Sequence, residues 1–115
     1  MLNTINKNFA KNNFLKGYQT GYIQSKTLNS ILKDSNFSKK KIDFLNLDIE
    51  GNEINALKSL DFYKYRPKLI CIEIHKTIGR KKMNQLKNNP LYKFLIKRGY
   101  KQIWNKEFSY IFKKK

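Results

Sequence analysis

At 115 residues the chain has room for one domain with a modest core, and its 40% hydrophobic and 14% aromatic content excludes a chain that is disordered by composition. Its longest aliphatic run, Leu69-Ile70-Cys71-Ile72, is far too short to span a bilayer. Met1 to Lys7 lacks the apolar stretch of a signal peptide, and Cys71, the only cysteine, allows no intrachain disulfide, so a cytoplasmic location is expected.

The net charge of +17, from 25 basic and 8 acidic residues, raises the question of a polyanionic partner. Only Arg66, Arg80 and Arg98 are arginines, and arginine is the usual choice for bidentate phosphate or guanine contacts. The lysines are scattered, with triplets only at 39–41 and 113–115. Compositional drift therefore outweighs a dedicated nucleic-acid surface. A small basic domain that binds nucleic acid or another anion without catalysis stays as the alternative function.

Residues 1–21 read as a loosely ordered basic arm with at most one weak helical turn, and Tyr22 to Gln24 as a short strand. Thr27 to Leu32 is a short helix with Thr27 or Ser25 as its N-cap, followed by a polar connection from Asp34 to Lys41. Ile42 to Asp48 is a strand whose apolar residues do not simply alternate, which suits a strand covered on both faces. Gly51 breaks it, Asn52 caps the next helix, and Ile54, Leu57 and Leu60 fall at helical spacing through about Asp61. Pro67 ends any helix before it. Leu69 to Ile74, rich in branched residues, is the second strand. Thr77 to Lys82 is a basic loop. Asn89-Pro90 opens another helix, whose apolar stripe is Tyr92, Leu95 and Ile96 and whose end is marked by Gly99. Tyr100 to Trp104 and Phe108 to Phe112 alternate around a turn at Asn105-Lys106, the pattern of a hairpin. The two strands joined by a helix should be parallel, with a right-handed crossover.

The stretch from Ile42 to Glu53 carries the most information. An apolar strand ends abruptly in Asp48, Glu50, Gly51 and Glu53, and a helix follows. In open parallel α/β sheets, ligands bind just outside the carboxyl ends of the strands, so the carboxylates mark a candidate active site.

Four segments in this order resemble the FkbM family of S-adenosylmethionine-dependent methyltransferases: Thr27 to Leu32; Ile42 to Glu53 with its Asp48-Ile49-Glu50-Gly51-x-Glu53 core; Arg66-Pro67-Lys68 leading into Leu69 to His75; and Gly99-Tyr100 before the hairpin. The spacing agrees across residues 22–112. The resemblance implies an α/β fold, a partial Rossmann-like class I methyltransferase sheet: two parallel strands with a crossover helix, then a helix and an antiparallel terminal hairpin. It covers only the C-terminal half of such a domain, assigned here to residues 22–115. Gly17, Gly21, Gly51, Gly79 and Gly99 never form the G-x-G turn that holds the cofactor in the family, so the chain is expected to be a truncated or split form. Asn46 also stands where relatives often carry lysine.

The resemblance further implies S-adenosylmethionine as cofactor and methyl transfer to a hydroxyl of a small molecule, possibly a sugar. It places Asp48 and Glu50 beside the transferred methyl group. Two apart, they share a side in extended geometry; one could accept the hydroxyl proton, or one could help to hold a divalent cation. Interaction with the following helix N-terminus is the structural alternative. His75, the only histidine, ends the second strand and is a candidate base. No metal site and no cofactor-binding residue can be named. Glu53 reads as a cap, Glu73 as a satisfied acid, Cys71 as core, and the hairpin aromatics as sheet packing. The edge of strand 42–48, lying beside the family's first strand, is expected to be unpaired and to favour self-association or pairing with a missing N-terminal half.

Overall fold

The computed structural model describes residues 19–75 and 82–115, together with Lys11. The expected N-terminal arm lies mostly outside the described residues, and so does the expected basic loop at 77–82, apart from Lys82. Among the described residues nine elements follow in order: α1 (Leu28–Asp34), β1 (Phe44–Leu47), α2 (Glu53–Lys58), α3 (Phe62–Tyr65), β2 (Leu69–Glu73), α4 (Lys82–Asn88), α5 (Pro90–Lys97), β3 (Tyr100–Lys106) and β4 (Ser109–Lys114).

Three helix starts have a local cause. Thr27 accepts from the N–H of Ser30 at the head of α1, Asp61 from Tyr63 and Lys64 at α3, and Asn89 from Leu91 at α5. Such caps satisfy N–H groups that have no partner inside the helix. Asn52 occupies the cap position of α2 as expected, yet its side chain makes no cap bond and accepts instead from the Asn55 amide. α1 is fastened to the segment after α2 by two hydrogen bonds: Asn29 Oδ1 accepts from Asp61 N–H at 2.7 Å, and Ser59 Oγ accepts from Leu28 N–H at 2.9 Å.

The four strands form one sheet in the order β1-β2-β4-β3. β1 and β2 are parallel, with Leu47 opposite Ile72; β4 pairs antiparallel with both β2 and β3. Alternate residues divide the sheet into two unlike faces. Leu47, Ile70, Ile72, Ile74, Tyr110 and Phe112 form one core cluster with Leu57 of α2, Leu86 of α4, Leu95 of α5 and Tyr100 of β3. Burial of an isoleucine such as Ile72, 0% exposed, contributes roughly 1.5–3 kcal/mol relative to leaving it in water. The opposite face carries the row Asn46, Cys71, Ile111 and Trp104 across all four strands. Its residues are half-buried or exposed.

Several expectations change. Tyr22 and Ile23 are fully exposed and belong to no strand, because nothing among the described residues pairs with them. The helix expected through Asp61 stops at Lys58, since Asp61 takes an extended conformation and starts α3. α4 was not expected at all: one buried leucine, Leu86, holds it to the core. β1 is not covered on both faces. Phe44 is 54% exposed, because the helices contribute their apolar residues to one face only. The hairpin turns at Glu107-Phe108 rather than Asn105-Lys106, with Glu107 at φ 52. A register shift between Gln102 and Trp104 leaves Ile103 and Trp104 both exposed, which interrupts the expected aromatic alternation. At the end of α5, Gly99 has φ 81, and a Cβ there would sit 2.9 Å from the Arg66 guanidinium. The positive φ calls for glycine, whereas the Arg66 guanidinium, at the end of a flexible side chain, could shift aside.

No helix of the described residues is long and apolar enough to cross a membrane.

Candidate active site

The carboxyl ends of β1 and β2 lie side by side, because the two strands are parallel neighbours. That register brings Asp48, just past β1, to the same end of the open face as Glu73 and His75. The thiol of Cys71 registers both acids: burial pushes its pKa up, and the charges of Glu73 and then Asp48 push it further. His75 Nε2 lies 3.0 Å from a Glu73 carboxylate oxygen, and its ring leans on Phe108 with centroids 5.2 Å apart. The imidazole is thus held between a carboxylate and an aromatic ring at a strand end, and both side chains of the pair remain partly open to solvent.

The turn after β1 is held from below. Glu53, only 3% exposed, directs Oε1 back to accept from the N–H groups of Ile49 at 3.1 Å and Gly51 at 3.2 Å. A buried carboxylate is stable only when hydrogen-bonded, and these two backbone donors supply the bonds. Between them Glu50 takes φ 53 and Gly51 φ 96. A left-handed conformation is routine for glycine but costs a residue such as Glu50 about 1 kcal/mol. The capping role expected of Glu53 therefore takes a particular form: its carboxylate closes the preceding turn rather than the first turn of its own helix.

That turn corrects one expectation. Asp48 and Glu50 would share a side only if the backbone stayed extended. The strand ends at Leu47, and Glu50 is left-handed. Asp48 is exposed and Glu50 half-buried. Glu73 is a half-buried acid of the strand, as expected, and the structure adds its partner, His75. The available signal was its spacing: Glu73 and His75 alternate with Ile72 and Ile74, so the polar pair and the core pair must point opposite ways.

Among the described residues, no group of three or more His, Cys, Asp or Glu side chains is arranged to hold a metal ion.

The fold is a mixed α/β domain with a four-stranded sheet, compatible with a methyltransferase-like fold, and acids and a histidine lie where two of its parallel strands end. The family comparison agrees: the methyltransferase FkbM domain matches residues 5–102, and the chain belongs to that family. No curated protein and no solved structure gives a match.

Proposed function

We propose that this chain serves an S-adenosylmethionine-dependent O-methyltransferase of FkbM type, acting on a hydroxyl of a small molecule such as a sugar. The observation that carries the reading is the carboxylate-rich turn at the end of β1, set beside the Glu73–His75 pair of β2, within a chain of this family. The strand order β1-β2-β4-β3, with an antiparallel strand inserted before the last, suits the C-terminal half of a Rossmann-like class I sheet. The left-handed Glu50 supports the same reading, since backbone strain gathers at working sites.

In this proposal Asp48 accepts the proton of the substrate hydroxyl as its oxygen attacks the methyl carbon. His75, oriented by Glu73, is the second candidate base, and Glu50 lines the turn beside them. S-adenosylmethionine would supply the methyl group from its sulfonium sulfur, which would leave as the neutral thioether of S-adenosylhomocysteine. No glycine pair in the chain offers a G-x-G turn for it. The proposal therefore includes completion of the cofactor site through the outer edge of β1, by a second copy or by a chain carrying the other half of the domain. Among the described residues that edge has no strand partner. Residues 22–115 would form the half-domain, residues 1–21 a basic arm, and the setting would be cytoplasmic, consistent with a single cysteine.

The test is calorimetric titration of the purified chain with S-adenosylmethionine, on monomeric and self-associated fractions separately. A heat of binding in the micromolar range in the associated fraction supports the reading. No binding in either fraction removes the claim that this chain, by itself or with a copy, builds the cofactor site.

A further inference from the structure

The acids of this chain are unevenly placed. Asp48, Glu50, Glu53 and Glu73, half of its eight acids, sit at or beside the strand ends. On the helical side, α2 and α5 border a shallow, open groove of about 380 Å³ that no acid lines. α2 contributes Ile54 and, one turn on, Lys58; α5 contributes Pro90, Lys93, Phe94 and Lys97, and Arg98 follows at its C-terminal end. All four cations are exposed, while Ile54 and Phe94 are half-buried. None of them takes part in the ion pairs found among the described residues, which join Lys26 to Asp34, Lys68 to Asp43 and His75 to Glu73.

Two features go beyond a generally basic surface. The first is Arg98, whose guanidinium lies 3.5 Å from the centroid of the Phe94 ring and 5.2 Å from that of Phe62. Stacking of this kind holds a guanidinium in place at little further entropic cost, ready for an oxygen anion. The second is the Lys93 and Lys97 pair, four residues apart on one face of α5. Like charges at that spacing disfavour the isolated helix. Lys97, in the last turn, complements the helix dipole, but Lys93 lies mid-helix and has no such role. An occupant bearing negative charge removes that repulsion.

We propose that the groove between α2 and α5 docks an acidic segment of a partner protein, with an apolar side chain set between its carboxylates. The apolar part covers Ile54 and Phe94, and the carboxylates meet Lys58, Lys93, Lys97 and Arg98. The groove is too open to enclose a small ligand, which ordinarily loses most of its surface on binding. A nucleic-acid backbone matches the cations but leaves Ile54 and Phe94 uncovered, and three of the four cations are lysines rather than arginines. Ile54 follows Glu53 directly, but no groove residue belongs to the candidate active site, so the proposal does not rest on the methyl-transfer reading.

The test is fluorescence anisotropy at physiological salt with a labelled peptide of about 12 residues in which Glu alternates with Leu and Phe, a length that spans both helices. The full chain is compared with two double variants: Lys93→Glu with Lys97→Glu in the groove, and Lys39→Glu with Lys40→Glu outside it. Both change the net charge equally. We expect the groove variant to weaken binding at least about 10-fold and the control by less than about 2-fold, since exposed charges beyond a Debye length are screened. A peptide with Ser for Leu and Phe should bind several-fold more weakly. Equal weakening by both variants would show attraction to net charge alone and overturn the proposal. So would an absence of binding, or tighter binding of a single-stranded oligonucleotide of equal charge that the groove variant abolishes. Far-UV circular dichroism of both variants establishes that each is folded.

Discussion

The two faces of the sheet are made by the same strands and do opposite things. On the covered face, Leu47, Ile70, Ile72, Tyr110 and Phe112 are buried to 6% exposure or less and interlock with three helices. On the open face, Asn46 and Asp48 are exposed, and Cys71, Glu73 and His75 are half-buried. Stability resides in one set of alternate residues and candidate chemistry in the other. Substitutions can therefore separate the two, because neighbours in sequence belong to different faces.

The largest effect should come from the covered face. Ile72→Ala removes a fully buried side chain at the centre of the cluster and is expected to cost about 2–5 kcal/mol in denaturant unfolding. A cost below about 1 kcal/mol would mean that the core packs less tightly than its burial indicates.

Next comes Glu53, which belongs to neither face and joins them. Glu53→Ala leaves the Ile49 and Gly51 N–H groups without their acceptor and should cost about 1–3 kcal/mol. Amide exchange at Ile49 and Gly51 should accelerate more than in β2. Exchange accelerated uniformly through the chain would show instead that the turn has no stability of its own.

Tyr100 sharpens the comparison through pH. Its hydroxyl is buried and donates to the Pro67 carbonyl at 2.7 Å. Burial pushes its pKa up from 10 to about 12, against the opposing pull of the Arg66 charge. The folded state therefore keeps a proton that the unfolded state releases. Below pH 10 the contribution is complete; it is lost as pH rises from 10 towards 12. Tyr100→Phe should reduce stability at neutral pH by about 1 kcal/mol and flatten the alkaline decline relative to the parent chain. A decline of the same steepness in both would assign it to the lysines.

The smallest stability effect belongs to the open face. Asp48→Asn should leave unfolding within about 0.5 kcal/mol of the parent, since the side chain is exposed. In an active methyl-transfer assay the same substitution should abolish turnover. Unchanged turnover would remove Asp48 from the chemistry and leave His75 as the base to examine.

Much of the fold was legible because its signals are local. Thr27, Asn89-Pro90 and Gly99 act within one helical turn, and Leu69 to Ile74 carries enough branched residues to be a strand in any context. The carboxylate-rich turn after β1 was legible for the same reason, and its segments sufficed to place the chain in its family. What escaped depends on partners distant in sequence. α4 joins the core through Leu86, which has no meaning until the core exists. The two-sided burial expected of β1 depended on where helices would pack. The pairing of Asp48 with Glu50 assumed an extended backbone that Glu53, reaching back through the turn, does not allow.

By itself, then, the sequence determined the order of the main elements, the hairpin and the position of the acids at a strand end, because periodicity and turn chemistry act over a few residues. Only the tertiary structure decided that Asp48, just past β1, lies at the same end of the open face as Glu73 and His75. It alone decided that α2 and α5 gather four cations around Ile54 and Phe94. Each of these depends on parallel strands or packed helices meeting across tens of residues, and no short-range pattern specifies that.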